Sequence, residues 1–349
     1  MTRAYGRSVH LVERLRLPEP YSARPYLGHA DHAAMCDVLR SYRTYAGNAE
    51  LPTVAEIDAA YGHLTNCDPT TDMAIIEAAG AAVGYVRTQR TVREDGGVDV
   101  GWFAPIVGDH WPDTSLYAAL VDGIEPHVSA WVVPGTDARC RVYVLHPGPD
   151  HDPTGPARVL AERGYEVQTW AAALVRPHLD DIPARTLPAG VDVRPVAPDQ
   201  VRPIWWAFFE AFRGEWGFNE PSPEMVDSEI ANPHHDPSLW KIAWADDQIV
   251  GQVKSYINHE SNAITGRRRG YTEDIATHHD WRNQGIAGAL LAMSLHELRD
   301  RGMTEAALGV DTSNPGGALH LYTSMGFEPV SYGAVYVTSI GASIDDETA

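Results

Sequence analysis

The sequence predicts an α/β protein built from two similar domains, and three observations support this prediction. The chain has 349 residues, which is more than one typical domain. Strand-like and helix-like segments alternate along its second half, which is the pattern of an α/β fold. Short segments of the first half recur in the second half in the same order, as a duplicated domain would leave them.

Three pairs of segments carry the internal repeat. In order along the chain, they predict a strand before a helix, two strands joined by a short turn, and a glycine-capped helix end before a strand. The pairs are residues 23–31 and 193–200, 74–86 and 241–253, and 161–175 and 323–337. A segment rich in proline and charge lies between the halves and is expected to be a linker. We therefore expect one domain at residues 1–175, a linker at 176–190 and a second domain at 191–349.

The later elements of the second half are predicted individually. Residues 270–277 have the composition of a strand, and the apolar run 286–298 predicts a helix that Gly302 ends. Residues 304–312 predict another strand. Residues 314–327 begin with a proline and end with a glycine, which is typical of a helix.

Composition and charge limit the classes of function. The formal net charge of −20 argues against nucleic-acid binding, which needs clustered lysine and arginine, and fits a cationic small molecule better. An acidic surface also serves solubility alone. The sequence shows no signal-peptide core and no apolar run long enough to cross a membrane, so we expect a soluble, cytoplasmic protein. The sequence leaves open whether it is a monomer or a homodimer.

The cysteines and histidines do not predict a disulfide framework or a metal site. Cys36, Cys67 and Cys140 form no C-x-x-C pair, which favours reduced thiols. His-His-Asp occurs at residues 234–236 and 278–280, but adjacent histidines are expected to point apart, and no further ligands have metal spacing. We expect no metal.

The loop before the predicted helix 286–298 is a candidate anion site. It reads R-x-x-G-x-A from Arg282 through Gly285 to Ala287. The first backbone N–H groups of a helix are unpaired, and glycine lets phosphate oxygens approach them. The same pattern also fits an ordinary strand-to-helix turn, so the loop alone does not decide between the two.

A second motif decides in favour of the anion site. The loop is followed by one strand and then by N-x-x-A-x-x-x-Y-x-x-x-G-F. Together they resemble the GCN5-related N-acetyltransferase (GNAT) family. The residues that carry the resemblance are Arg282, Gly285, Ala287, Asn314, Ala318, Tyr322, Gly326 and Phe327. The resemblance implies two tandem GNAT-like domains, each a mixed, mostly antiparallel central sheet flanked by helices.

The resemblance implies acetyl-CoA as the acyl-donor cosubstrate. In the family, backbone N–H groups of the loop bind the pyrophosphate, and the strand before the loop pairs with the pantetheine arm. The cofactor-binding residues implied here are Ile275, Ala276, Thr277, Arg282, Asn283, Gln284, Gly285, Ile286, Ala287, Gly288 and Asn314.

The resemblance assigns Tyr322 as the acid that protonates the departing thiolate. The acceptor amine, with a pKa near 10, must lose a proton before it attacks, so a base is also needed. Glu273 is the expected base because it lies on the strand that faces the cofactor. Many family members place this glutamate two positions earlier, where this chain has Tyr271, so a water relay from Glu273 is an alternative to direct transfer.

The acceptor side is predicted from an aromatic segment, residues 205–221. Its apolar residues at helical spacing are expected to form core. The glycine-flanked later part is expected to contact substrate through Glu215, Trp216 and Phe218.

The first half departs from both motifs. Pro112 and Asp113 stand where backbone donors would be needed, and Ala161 stands where the tyrosine is expected. The acidic side chain of Asp113 would repel pyrophosphate. The first domain is therefore expected to be degenerate, in an arrangement similar to tandem family members such as mycothiol synthase.

The resulting hypothesis is acetyl transfer from acetyl-CoA to a small-molecule amine, by direct attack in the second domain. Two alternatives stay open. One is a non-catalytic acyl-CoA-binding regulatory protein with the same fold, and the other is an acetyltransferase whose acceptor is a protein amine.

Overall fold

The predicted alternation of strands and helices is confirmed. The computed structural model describes residues 9–48, 50–62, 64, 66–93, 96–111, 113–133, 135–146, 155–213, 221–312 and 317–340. The chain divides into two compact units, of which unit 1 is Met1–Trp170 with Gly333–Ala349 and unit 2 is Ala171–Tyr332. The chain passes from unit 1 to unit 2 within strand β6 (Glu166–Arg176) and returns within strand β12 (Glu328–Ser339).

Unit 1 contains a mixed sheet with helices. Its own strands are β1 (Tyr21–Pro25), β2 (Met73–Ala78), β3 (Ala81–Val92), β4 (Val98–Phe103) and β5 (Ala138–His146). Its helices are α1 (Leu11–Arg14), α2 (His32–Tyr45), α3 (Val54–Gly62), α4 (Pro69–Asp72), α5 (Thr114–Ser129) and α6 (Pro156–Glu162). The strand order is β1-β2-β3-β4-β5-β12, with only the β4–β5 ladder parallel among the described pairs.

Unit 2 repeats this plan. Its own strands are β7 (Asp192–Val193), β8 (Lys241–Ala245), β9 (Gln248–Tyr256), β10 (Arg269–Thr277) and β11 (Glu305–Asp311). Its helices are α7 (Val201–Phe212), α8 (Pro223–Ala231), α9 (His259–Thr265), α10 (Ile286–Asp300) and α11 (Ala318–Ser324). The strand order is β6-β11-β10-β9-β8-β7, with β10–β11 parallel and the other described ladders antiparallel. This is the mixed, mostly antiparallel sheet that was predicted.

Helix α10 forms because its apolar residues recur at helical spacing on one face. Leu291, Leu295 and Leu298 are fully buried in the core of unit 2. Gly302 ends the helix in the left-handed region with φ +86°, a conformation that glycine adopts without steric cost. The prediction for this helix is confirmed, with two more residues at its C-terminal end.

The boundaries of the two units differ from those of the predicted domains, 1–175 and 191–349. The predicted linker 176–190 lies in unit 2, where Leu179 is buried and Ile182 and Leu187 pack on its cores. The proline and charged residues of this segment suggested a linker, but its apolar side chains pack on the cores of unit 2 and hold the segment there. The last part of β12 belongs to unit 1, where Ala334 and Tyr336 join the core.

Among the described residues, no helix has both the length and the apolar character needed to cross a membrane.

We expect Gly270→Ala to destabilise unit 2. A Cβ atom at Gly270 would lie 2.4 Å from Cδ2 and 3.0 Å from Cγ of the fully buried Leu298. Overpacking of this kind costs about 1–3 kcal/mol, so the thermal or urea midpoint of the intact chain should fall. Gly309→Ala on the adjacent strand is the matched control, because its Cβ would meet nothing closer than 4.0 Å. Equal midpoints for the two variants would contradict the packing described here.

Candidate active site

A cleft of about 730 Å³ opens in unit 2 at the N-terminal end of α10. The described residues that line it are Arg185, Ala211, Phe212, Ile275, Ala276, Thr277, Trp281, Arg282, Asn283, Gly285, Ile286, Ala287, Gly288, Gly317, Ala318, His320, Leu321, Tyr322 and Ser324. The structure thus brings together most of the residues predicted to bind cofactor. Gln284 is not among the lining residues, and its side-chain amide donates to the Asp280 carbonyl at 3.4 Å. Asn314 lies outside the described residues.

The loop before α10 leaves the start of the helix open. Gly285 is the N-cap with φ +84°, and Asn283 also has a positive φ of +61°. Among the described residues no side chain caps this helix, so its first N–H groups have no intrahelical partner and no capping oxygen. A Cβ atom at Gly285 would meet nothing within 4 Å. The positive end of the helix dipole therefore faces open space that an anion could occupy.

Arg282 contributes to the shape of the loop. Its guanidinium donates to the carbonyl of Ala211 at 2.6 Å and, over a longer distance of 3.4 Å, to that of Thr277. Ala211 lies in the last turn of α7, where carbonyl groups lack intrahelical donors and a cation is favourable. Arg282 therefore ties the loop to α7, in addition to lining the cleft.

Strands β10 and β11 part beside the cleft. Their ladder runs from Arg269 opposite Glu305 to Tyr271 opposite Ala307, while β11 continues along β6 as far as Asp311. Beyond Tyr271, the Glu273 carboxylate accepts a hydrogen bond at 3.1 Å from the backbone N–H of Gly309 on β11. A half-buried carboxylate thus stands in the opening between the two strands.

A bulge in β10 directly follows Glu273. The register with β9 shifts between Glu273 and Ala276, and Asp274 has a positive φ of +48°. The Asp274 carboxylate lies 2.7 Å from Nζ of Lys254, the residue directly opposite Glu273. Simple alternation would turn Asp274 away from this face, but the extra residue of the bulge interrupts that alternation.

Lys254 lies in an acidic and aromatic setting. It is 4% exposed, and its ammonium lies 3.7 Å from Glu229 and 5.2 Å from the ring of Trp240. Gln252, two residues earlier on the same strand face, is 1% exposed, and both of its amide atoms lack a hydrogen-bond partner among the described residues. The sequence did not reveal this polar face because the residues that surround Lys254, such as Glu229 and Asp274, come from other elements of the fold.

Tyr322, the predicted acid, lies in the wall of the cleft. It is 5% exposed and packs edge-on against Phe327. Burial, with a smaller effect from the charge of Glu273, raises the pKa of the Tyr322 hydroxyl above its ordinary value. The phenol therefore keeps its proton over the whole physiological pH range.

The corresponding helix of unit 1 starts differently. Asp113 is the N-cap of α5, and its carboxylate accepts hydrogen bonds from the backbone N–H groups of Ser115 at 3.0 Å and Leu116 at 3.2 Å. The side-chain hydrogen bond from Ser115, together with these backbone bonds, holds the pKa of Asp113 below its usual value. The donors that would meet a phosphate already have an anionic partner.

Two His-His-Asp groups among the described residues bring possible ligand atoms within 4.8 Å of one another. One is His278, His279 and Asp280, where the imidazole rings stack with centroids 4.3 Å apart, so the expectation that adjacent histidines point apart was wrong for this pair. His234 and His235 do point apart, since His234 stacks on Tyr256 and His235 packs edge-on against Trp240. The other is His29, His32 and Asp58 in unit 1, which sequence spacing did not reveal because Asp58 comes from a different helix. In both groups the histidines already pair with the carboxylate. The absence of a metal stays a prediction.

The residues predicted to contact substrate, Glu215, Trp216 and Phe218, lie outside the described part of the chain. The first part of the aromatic segment lies in α7, where Trp205 is buried in a core as expected but Trp206 is exposed.

Comparisons with known proteins agree with this geometry. Residues 201–327 match the family described as Acetyltransferase (GNAT) family. The mycothiol acetyltransferase of Thermobispora bispora is 26% identical over 247 residues, which cover 62% of this chain and 81% of the relative.

Two solved structures extend the likeness to the whole fold. A GCN5-related N-acetyltransferase from Sphaerobacter thermophilus has a TM-score of 0.66 at 21% identity, covering 96% of this chain and 100% of that protein. A tandem GNAT protein from the clavulanic acid biosynthesis pathway has a TM-score of 0.62 at 14% identity, covering 93% and 99% respectively. The family match thus covers residues 201–327 of unit 2, and over nearly the whole chain the fold is similar to those of solved GNAT proteins, one of which is a tandem protein.

Proposed function

We propose that unit 2 transfers an acetyl group from acetyl-CoA to the amine of a small molecule. The observation that carries the proposal is the continuity of one cleft, which joins the uncapped start of α10, the edge of β10 at residues 275–277 and the hydroxyl-bearing ring of Tyr322. These are an anion site, a strand edge and an acid, in the order that a phosphorylated thioester would need them.

The residues of the cleft fit acetyl-CoA. The free N–H groups at Ile286, Ala287 and Gly288 suit a pyrophosphate, and the open space at Gly285 admits its oxygens. Where β10 parts from β11, its edge can pair with the amide groups of the pantetheine arm. When bound, acetyl-CoA supplies an activated thioester carbonyl.

Glu273 and Tyr322 then divide the two proton transfers. Glu273 takes a proton from the acceptor ammonium, directly or through a water, since a carboxylate that accepts one bond from Gly309 keeps further lone pairs. The amine nitrogen forms a bond to the carbonyl carbon as the carbon–sulfur bond breaks. Tyr322 gives its proton to the departing sulfur, and the newly bonded nitrogen loses its surplus proton, which returns to the Tyr322 phenolate through solvent. The products are the amide and free CoA, and the proton taken by Glu273 passes to solvent.

The acceptor is proposed to enter over the face that carries Gln252, Lys254 and Glu273. Among the described residues, the carboxylates of Glu229, Asp274 and Glu273 lie around the ammonium of Lys254, and this excess of negative charge would attract a positively charged amine. The relatives named mycothiol acetyltransferase are consistent with a small-molecule acceptor, while the mycothiol precursor itself is not singled out by any residue described here.

The experiment that tests the function is calorimetric titration of the intact chain with acetyl-CoA, followed by thiol release with a panel of amines. We expect one site per chain, because Asp113 closes the start of α5. Binding without thiol release for any amine would favour the regulatory alternative. Incorporation of labelled acetyl groups into lysate proteins, without release by small amines, would favour a protein amine as acceptor.

Gly285→Glu should weaken acetyl-CoA binding by at least about 10-fold, because a side chain would fill the open space and its charge would oppose the pyrophosphate. Gly302→Glu, at the other end of α10, is the matched control. Both glycines have positive φ and open space, so both variants carry similar backbone strain. If the two variants in folded form bind acetyl-CoA equally well, the loop is only a turn.

Glu273→Gln should slow the reaction most at neutral pH. Its rate should rise toward that of the wild type as the pH approaches the pKa of the acceptor amine, near 10, because solvent then removes the proton unaided. The measurement is a pH profile of turnover. A variant profile parallel to that of the wild type would reject Glu273 as the base.

Tyr322→Phe is the control for this profile. It should lower turnover about 10- to 10⁴-fold without the recovery at high pH, because the acid and not the base is lost. Acetyl-CoA affinity should change little, since the ring keeps its packing against Phe327.

A further inference from the structure

A segment without regular secondary structure, residues 177–191, crosses unit 2 before β7. It is anchored on both sides of Arg185. Ile182 packs against the core cluster that includes Leu291 of α10, and Leu187 packs against the cluster that includes Leu290. Because Ile182 lies only three positions before Arg185 and Leu187 only two positions after it, the backbone at Arg185 is held in place.

These anchors place Arg185 beside the first turn of α10. Arg185 lines the cleft, and a Cβ atom built on Gly288 would lie 3.9 Å from its Cδ. Its guanidinium donates to the hydroxyl of Ser324 at 3.4 Å, a long bond to a neutral group. Within the described residues it has no carboxylate within ion-pair distance, although acidic residues are in large excess over the whole sequence.

The other arginine of the cleft is engaged differently. Arg282 donates to the carbonyl of Ala211 at 2.6 Å and so serves the loop structure. Arg185 therefore offers donors toward the cleft, and among the described residues its acceptor is only the Ser324 hydroxyl at 3.4 Å. A guanidinium presents paired N–H groups that match two phosphate oxygens, and it lies here next to the uncapped N–H groups of Ile286 to Gly288.

We propose that Arg185 is a phosphate-binding residue for the CoA moiety, supplied by the segment that precedes the matched family domain. The proposal rests on the proposed function, since it requires CoA in this cleft. CoA carries phosphate in two places, the pyrophosphate and the 3′-phosphate of its ribose. Both present the same chemistry to a guanidinium, and Arg185 binds whichever of them lies over the first turn of α10.

The test is calorimetric binding of CoA and of 3′-dephospho-CoA to the intact chain at low ionic strength. Arg185→Ala should weaken CoA binding about 10- to 100-fold, the range for losing a hydrogen-bonded charge, and should flatten the dependence of affinity on salt. Arg185→Lys should recover part of the lost CoA affinity, because lysine keeps the positive charge but lacks the paired N–H groups of a guanidinium. If Arg185→Ala weakens the binding of CoA but not of 3′-dephospho-CoA, Arg185 binds the 3′-phosphate. If it weakens the binding of both ligands, Arg185 binds the pyrophosphate.

Arg299→Ala is the matched control. Arg299 lies near the other end of α10 and pairs with Asp300 at 3.3 Å, so its removal should leave CoA affinity unchanged. If Arg185→Ala binds CoA as tightly as the wild type, the inference is wrong while the proposed function stands. If the wild type itself binds no CoA, the proposed function fails first.

Discussion

The site depends on one constraint in the sheet, which is the parting of β10 from β11 after the pair Tyr271 and Ala307. A sheet normally satisfies its backbone groups by continuous pairing, so an opening must be held by other contacts. Here Glu273 bridges to Gly309 across the opening, and the Lys254–Asp274 ion pair joins β9 to the bulge of β10. The hydrogen bond to Gly309 holds the Glu273 carboxylate close enough to Tyr322 for its charge to contribute to the raised pKa of that hydroxyl.

The two units show how a small change at a helix start alters what a repeated fold can do. In unit 2 a glycine begins α10 and leaves its first amides exposed, whereas in unit 1 Asp113 accepts hydrogen bonds from the first amides of α5. An aspartate cap stabilises a helix by about 0.5–2 kcal/mol relative to alanine. Unit 1 thus has the more conventional helix start, and unit 2 keeps an open one where an anion can bind.

Much of the fold could be predicted because its signals can be read directly from the sequence. These signals are the strand and helix periodicities, the glycine that ends α10 (Gly302) and the repeated segments. The loop and Tyr322 were also found because their spacing is recognisable. The polar face of Gln252 and Lys254, the bulge at Asp274 and the position of Arg185 were not found. Each depends on partners far apart in the chain, and proline and charge made the anchored segment around Arg185 look like a free connector.

The path of the chain through β6 and β12 also has a consequence for the order of folding. Unit 2 is one uninterrupted stretch, Ala171–Tyr332, whereas unit 1 takes its last strand from residues that follow Tyr332. The first part of unit 1 leaves the ribosome long before β12 is synthesised. The edge of β5 that pairs with β12 therefore stays unpaired while unit 2 is synthesised. The unit that is encoded second can therefore reach its native sheet first, and the unit encoded first closes only after β12 has been synthesised.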